Sequence, residues 1–184
     1  ALATIETLQN KIPVSGSAIR TGLKTVEWPG RLQLVTRPSG QNFLLDGAHN
    51  VAGAKVLGQA LEKHFGGTNR TLILGVLQDK DWRHMCETLA PLAARILTVP
   101  VASERTADAR ELAAACRAAN PSAEIGSDGS LAGALGKIAD DEFVVVTGSL
   151  YLVGEALELL GLLPALGGER GLNEWSAGFA LGQR

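Results

Sequence analysis

Asp46-Gly47-Ala48-His49-Asn50 places a carboxylate, an imidazole and a carboxamide within five residues, directly after the apolar run Phe43-Leu44-Leu45. A carboxylate at a strand end can grip a ribose diol or cap the helix that follows. An imidazole three residues on can exchange protons near neutral pH or hydrogen-bond within its own loop. Gly47 lets the backbone turn tightly or approach a ligand, and a helix starting at Val51 offers free N–H groups that favour an anion. Three other stretches carry comparable chemistry. Thr147-Gly148-Ser149 follows the β-prone run Phe143-Val144-Val145-Val146; its hydroxyls either cap the next helix or hold a carboxylate or phosphate. Lys80 and Asp81 read as a solvated charge pair or as part of a binding rim. Arg31, after Trp28-Pro29-Gly30, sets a guanidinium suited to phosphate on a turn-rich hinge. His64 and His84 lie in helical patterns without neighbouring ligand residues and read as structural.

These residues need a scaffold that brings loop ends together, and the apolar periodicity supplies one. Residues 32–36 alternate like a half-exposed strand, and a short loop (37–42) returns to Phe43-Leu44-Leu45, so these two strands should pair antiparallel. From Val51 the pattern becomes regular: helix 51–65 ended by Gly66-Gly67, strand 71–76, helix 82–92, strand 94–99, helix 107–119 stopped by Asn120-Pro121, strand 123–125, helix 129–138, strand 143–146 and helix 150–160. Strands alternating with helices over short loops call for a mostly parallel sheet covered on both faces. The expectation is a Rossmann-like three-layer α/β domain of about six strands with one antiparallel strand. In a parallel sheet the loops 46–50, 77–81, 100–105 and 147–149 all lie on one rim, which makes that rim the place for a site.

At 184 residues and 46% hydrophobic content, the chain can form one ordinary domain with tails. Its formal net charge of -2 and the absence of Lys/Arg runs argue against nucleic acid or an anionic membrane as partner. No apolar stretch approaches the roughly 20 residues of a membrane span, and the N-terminus lacks the basic start and apolar centre of a signal peptide. A cytoplasmic setting is the default expectation, and the absence of a starting Met points to a fragment. Cys86 and Cys116 fall in helical patterns and read as reduced core thiols, able to pair only if the fold juxtaposes them. Residues 1–26, interrupted at Pro13, do not read as the start of a compact domain; a short helix over 15–23 would be capped by Ser15 or Ser17. The domain is expected over 27–161, with 162–184 as a poorly ordered tail. No G-x-x-x-x-G-K-[ST], no G-x-G-x-x-G after a strand and no G-x-S-x-G elbow is present.

Trp28-Pro29-Gly30-Arg31, Leu44 to Asn50, Gly75-Val76-Leu77-Gln78-Asp79-Lys80-Asp81 and Thr147-Gly148-Ser149-Leu150-Tyr151 stand in an order and spacing that resembles the C-terminal domain of folylpolyglutamate synthase/dihydrofolate synthase, of the Mur ligase superfamily. The resemblance implies an ATP-dependent ligase that adds L-glutamate to dihydropteroate or folate through an acyl phosphate. It implies that Arg31 contacts ATP phosphates, Asp46 binds the ribose and orients a mobile domain, and His49 lies beside the nucleotide or incoming glutamate. Asn50 would support the turn and the ATP site, Ser149 would help hold glutamate, and Lys80 with Asp81 would shape the rim. ATP and Mg2+ are the implied cofactors, the metal held mainly by a separate larger domain. Residues 1–26 would then be the end of the preceding ATPase domain and a linker, and this chain alone would be inactive. The family often carries Pro where Val51 stands, a change that affects how the helix starts more than the chemistry. Two alternatives remain: the C-terminal domain of a Mur peptidoglycan ligase, which often carries Tyr at the place of Gly47, and a non-catalytic nucleotide-binding α/β module.

Overall fold

In the computed structural model the described residues are 2–162, apart from 27 and 68. Val/Ile/Leu-rich runs bounded by turn residues form the strands. β1 (Gln33–Thr36) and β2 (Asn42–Asp46) make an antiparallel pair. β3 (Thr71–Leu74), β4 (Arg95–Thr98), β5 (Glu124–Ser127) and β6 (Phe143–Thr147) run parallel to β2. Among the described residues these form one sheet, in the order β1-β2-β6-β3-β4-β5.

Side-chain alternation along the strands divides the core in two. Leu44, Leu72, Leu74, Ile96 and Val145 face α3 (Val51–Phe65), α4 (Trp82–Leu89) and α5 (Ala109–Ala119). Phe43, Leu45, Ile73, Leu97, Val144 and Val146 face α6 (Leu131–Gly136) and α7 (Leu150–Leu159). The fold is the three-layer α/β sandwich expected from the sequence, and β6, buried at every position, lies between β2 and β3.

That insertion creates the switch point. The chain leaves β2 and β3 toward one face, into α3 and α4, and leaves β6 toward the other, into α7. Outgoing connections that diverge from adjacent strand ends open a crevice at the carboxyl edge, where ligands of open α/β sheets bind. Asp46, Thr147 and Leu74 stand in register across that edge.

Element ends differ from the sequence reading for local reasons. Pro91 ends α4 at Leu89, and Ala90–Leu92 tighten into a 3-10 turn. Asp108 accepts from the Arg110 and Glu111 N–H groups and starts α5 two residues later than its apolar pattern. β3 stops at Leu74, and Gly75, where a Cβ would meet the Val99 carbonyl at 2.8 Å, belongs to the rim. Strand β5 covers residues 124–127 rather than 123–125, and Ser130 caps α6. Before the sheet, α1 (Leu2–Leu8) and α2 (Gly16–Thr25) contribute no buried residue, and Ser15, not Ser17, caps α2. At the other end, Gly161 (φ 68°) donates to the Glu158 carbonyl and Leu162 to that of Leu157. This is a Schellman closure, and it packs Leu162 on the core. Residues 163–184 lie outside the described residues.

Candidate active site on the carboxyl rim of the sheet

Three sequence motifs meet at the ends of β2 and β6. The first is the turn Trp28-Pro29-Gly30-Arg31, where the Arg31 N–H donates to the Trp28 carbonyl (3.2 Å) and Gly30 has φ 73°. That is the type II geometry a Pro-Gly pair favours. Gln33 Oε1 accepts from the Gly30 N–H (2.8 Å), and the Gly47 N–H donates to the Gly30 carbonyl (2.8 Å). The Arg31 guanidinium lies 5.6 Å from the exposed Trp28 ring, within cation–π range.

The second motif is organised by Asp46, which is 8% exposed. Its Oδ1 accepts from the Ala48 N–H (2.9 Å) and its Oδ2 from the Leu32 N–H (2.9 Å). One oxygen therefore folds the 46–50 turn and the other fastens the hinge turn to it. Leu32 has φ 44°, a left-handed conformation costing a non-glycine residue roughly 1–2 kcal/mol. His49 Nδ1 donates to the Gly47 carbonyl (2.8 Å). A carbonyl can only accept, so this bond fixes the tautomer and leaves Nε2 as the chemically available nitrogen. Asn50 Oδ1 accepts from the Gly53 N–H (2.8 Å) and caps α3, whose first residue is Val51.

The third motif enters α7. Ser149, 2% exposed, caps the helix by accepting from the Tyr151 N–H (3.2 Å). Gly148 has φ 108°, and a Cβ there would overlap the Gly75 carbonyl oxygen. A Cβ on Gly47 would overlap Leu150, and one on Gly30 would meet Val153 at 2.7 Å. The start of α7 is thus wedged against both the hinge turn and the 46–50 turn. Two helix N-termini, of α3 and α7, open onto this rim and give it a positive bias toward anions. At the end of β6 the buried Thr147 Oγ1 has no hydrogen-bond partner among the described residues.

Arg31, Asp46, His49, Asn50 and Ser149 are therefore on one assembly. Lys80 and Asp81 are on the same rim, on the loop after β3, yet they do not pair with each other. Lys80 Nζ bonds Asp79 (2.7 Å), which also faces Arg105 at 3.8 Å. Asp81 caps α4 and holds His84 Nδ1 at 2.7 Å. The hydrogen bond from His84 lowers the Asp81 carboxyl below its ordinary value, and the same bond raises His84 above 6.5. Lys80 likewise lowers Asp79. The 77–81 loop is tied to the next loop by the Gln78 N–H to the Arg105 carbonyl (2.7 Å) and by the Leu77–Thr106 bridge. Sequence reasoning missed Leu32, Gln33 and Asp79. A backbone N–H and a side chain brought in by a turn leave no motif, and Asp79 was masked by the more familiar Lys-Asp neighbour. Among the described residues no group of three or more His, Cys, Asp or Glu could hold a metal ion.

Residues 30–150 match the family model described as Mur ligase, glutamate ligase domain. The chain belongs to the Mur ligase family. It is 30% identical over 147 residues to the dihydrofolate synthase/folylpolyglutamate synthase of Bacillus subtilis, covering 80% of this chain and 34% of that protein. Folylpolyglutamate synthase of Mycobacterium tuberculosis, solved with ADP and AMPPCP, superposes with a TM-score of 0.75 at 30% identity, over 89% of this chain and 39% of that one. Escherichia coli FolC, solved with DHPP and ADP, gives 0.76 at 25% identity, over 87% and 37%. The chain thus spans about a third of the length of the curated relative it matches. Among the described residues no helix is long and apolar enough to cross a membrane.

Proposed function

We propose that this chain is the ATP- and glutamate-contacting domain of an ATP-dependent ligase that joins L-glutamate to dihydropteroate or folate through an acyl phosphate. The observation that carries the reading is the convergence of the hinge turn, the 46–50 turn and the start of α7 on one carboxyl rim. In this reading Arg31, exposed beside Trp28, meets phosphate; Asp46 meets the ribose once its hold on Leu32 is exchanged; and His49 presents Nε2 to nucleotide or glutamate. Asn50 keeps the turn and the α3 N-terminus in place. Ser149, buried as a cap, orients the α7 N-terminus toward the glutamate carboxylate, while its own O–H can still donate. Lys80 and Asp81 belong to the rim, each through its own partner. A Mg2+ ion, held outside this chain, would neutralise charge on the transferred phosphoryl group. The amine of the incoming glutamate attacks the acyl phosphate, the amide bond forms and phosphate leaves.

Gly47 favours a folate-type ligase over a peptidoglycan ligase, because a tyrosine there would displace Leu150 and with it the start of α7. ATP- and folate-dependent incorporation of labelled glutamate by the full-length protein tests the reading. Incorporation should fall sharply in Asp46→Ala and His49→Ala. Undiminished turnover in Asp46→Ala would remove that residue from the site, and absence of incorporation in the wild-type protein would favour a nucleotide-binding module.

A further inference from the structure

Thr147 ends β6 and is 0% exposed, yet its Oγ1 has no hydrogen-bond partner among the described residues. A buried hydroxyl has given up water, and folded proteins leave few such donors unspent. Register defines what lies beside it. Thr147 is level with Asp46 on β2 to one side and with Leu74 on β3 to the other. Leu44 and Val145, paired two residues earlier on the same strands, both face the α3 layer. Strand alternation turns Asp46 and Thr147 toward that layer too, one strand spacing of about 4.8 Å apart. In this row of three Leu74 is apolar, so the Asp46 carboxylate is the side-chain acceptor beside the idle hydroxyl. That carboxylate has room for it. Oδ1 accepts from the Ala48 N–H and Oδ2 from the Leu32 N–H, both at 2.9 Å, which fills two of its roughly four lone-pair sites. The two bonds are not equivalent. Ala48 belongs to the 46–50 turn itself, whereas Leu32 is held on the hinge turn at φ 44°, a conformation unfavourable to leucine. The Leu32 bond is the one more readily released.

We propose that Thr147 is a positioning residue for the nucleotide: its hydroxyl donates to Asp46 when Oδ2 leaves the Leu32 N–H for a ribose diol. The proposal rests on the reading of Asp46 as the group that meets the ribose. A carboxylate that receives two hydrogens from a diol needs donors of its own on the protein side to fix its direction. With Leu32 released, the Ala48 N–H alone would leave the carboxylate free to turn about its Cβ–Cγ bond. Rotation of the Thr147 or Asp46 side chain between staggered wells brings the O–H and Oδ2 together and restores a second anchor. A hydrogen bond to a charged acceptor is stronger than one between neutral groups, so one hydroxyl suffices to hold that direction. The donor is idle in one arrangement and engaged in the other, which accounts for an unspent hydroxyl at the switch point. Being fully buried, Thr147 does not touch the nucleotide, and its effect passes through Asp46.

The test is calorimetric binding of ATP and of 2′,3′-dideoxy-ATP, which keeps the base and phosphates but lacks the diol, to the full-length protein. Wild type should bind ATP more tightly than the dideoxy analogue. Thr147→Val should lose roughly tenfold or more in ATP affinity, the effect of one hydrogen bond to a charged group, while binding the analogue as wild type does. Thr147→Ser, which keeps the hydroxyl, should recover ATP affinity. A structural defect would weaken both nucleotides alike. Equal losses for the two nucleotides, unchanged ATP affinity in Thr147→Val, or a serine variant no better than valine would each overturn the proposal. A wild-type protein that binds the two nucleotides equally would remove the ribose role of Asp46 and the proposal with it. One that separates them as expected but incorporates no labelled glutamate would count against the ligase reading alone.

Discussion

Asp46 is the residue on which the rim depends, because both of its oxygens are committed to backbone N–H groups from two different turns. Asp46→Ala should cost about 1–3 kcal/mol in urea unfolding, the range for leaving buried donors without acceptors. Asp46→Asn, which keeps one carbonyl acceptor, should fall between wild type and alanine. Thr147→Val is expected to behave in the opposite way. Its hydroxyl is buried without a partner among the described residues, so the isosteric change should be neutral or mildly stabilising. An unfolding midpoint well below wild type would show that the hydroxyl is satisfied after all. Gly148→Ala should be the most damaging small substitution on the rim, because positive φ and overlap with the Gly75 carbonyl act together. A loss of about 2 kcal/mol or more is expected, and a wild-type midpoint would refute that packing. These contacts also show what could be read beforehand. The side chains of the 46–50 turn stood in the sequence as candidates, whereas the Leu32 N–H that receives one of them did not. A backbone donor takes its meaning here from the left-handed conformation of Leu32, which its residue type does not encode.

At the level of elements, caps and strand pattern carried most of the fold. Asn50, Asp81, Asp108, Ser130 and Ser149 each start a helix with a side-chain acceptor, which is why alternating apolar runs could be parsed without knowing their neighbours. Exact ends were less legible where a cap or a proline overrode the apolar period, as at Asp108 and Pro91. The α4 cap makes a pH-dependent prediction. His84 is raised above 6.5 by Asp81, so its contribution is complete below the unfolded histidine value and fades as pH rises through the higher folded one. Asp81 is lowered below 3.8, so its contribution is present above the unfolded carboxylate value and fades as pH falls through the folded one. The pair is strongest between those limits. An NMR titration should place His84 above 6.5 and return it toward the ordinary value in Asp81→Asn. An unchanged titration would mean that the i,i+3 contact does not persist in solution.

For the molecule as a whole, the proposed ligase reading makes the rim one wall of a cleft. It offers two helix N-termini, a guanidinium and an imidazole, but no phosphate loop and no metal cluster among the described residues. The isolated chain should therefore bind ATP poorly, and submicromolar affinity by calorimetry would contradict the division of contacts proposed above. The opposite edge of the sheet is built for cohesion instead. Arg70 donates to the carbonyls of Leu61, Phe65 and Leu92, and Arg95 bonds Asp141, which also accepts from Thr71. Overall order was legible because six apolar runs and their connections alternate regularly. The place of β6 between β2 and β3 was not, since a strand's neighbours depend on which face each crossover takes.

The antiparallel β1 has a mechanical consequence. Because it runs against the other strands, the chain enters the domain at the rim itself, and Gly30 touches Gly47 directly. In the proposed ligase, a pivot at this turn would make the fulcrum and the working end of the domain coincide. A five-residue strand spans roughly 17 Å, so a swing of about 10° about this turn would sweep the far edge by roughly 3 Å and move the adjoining Gly47 far less. Such short-arm gearing would convert a large displacement of the body into a fine adjustment at the rim. A domain hinged at its opposite edge would do the reverse.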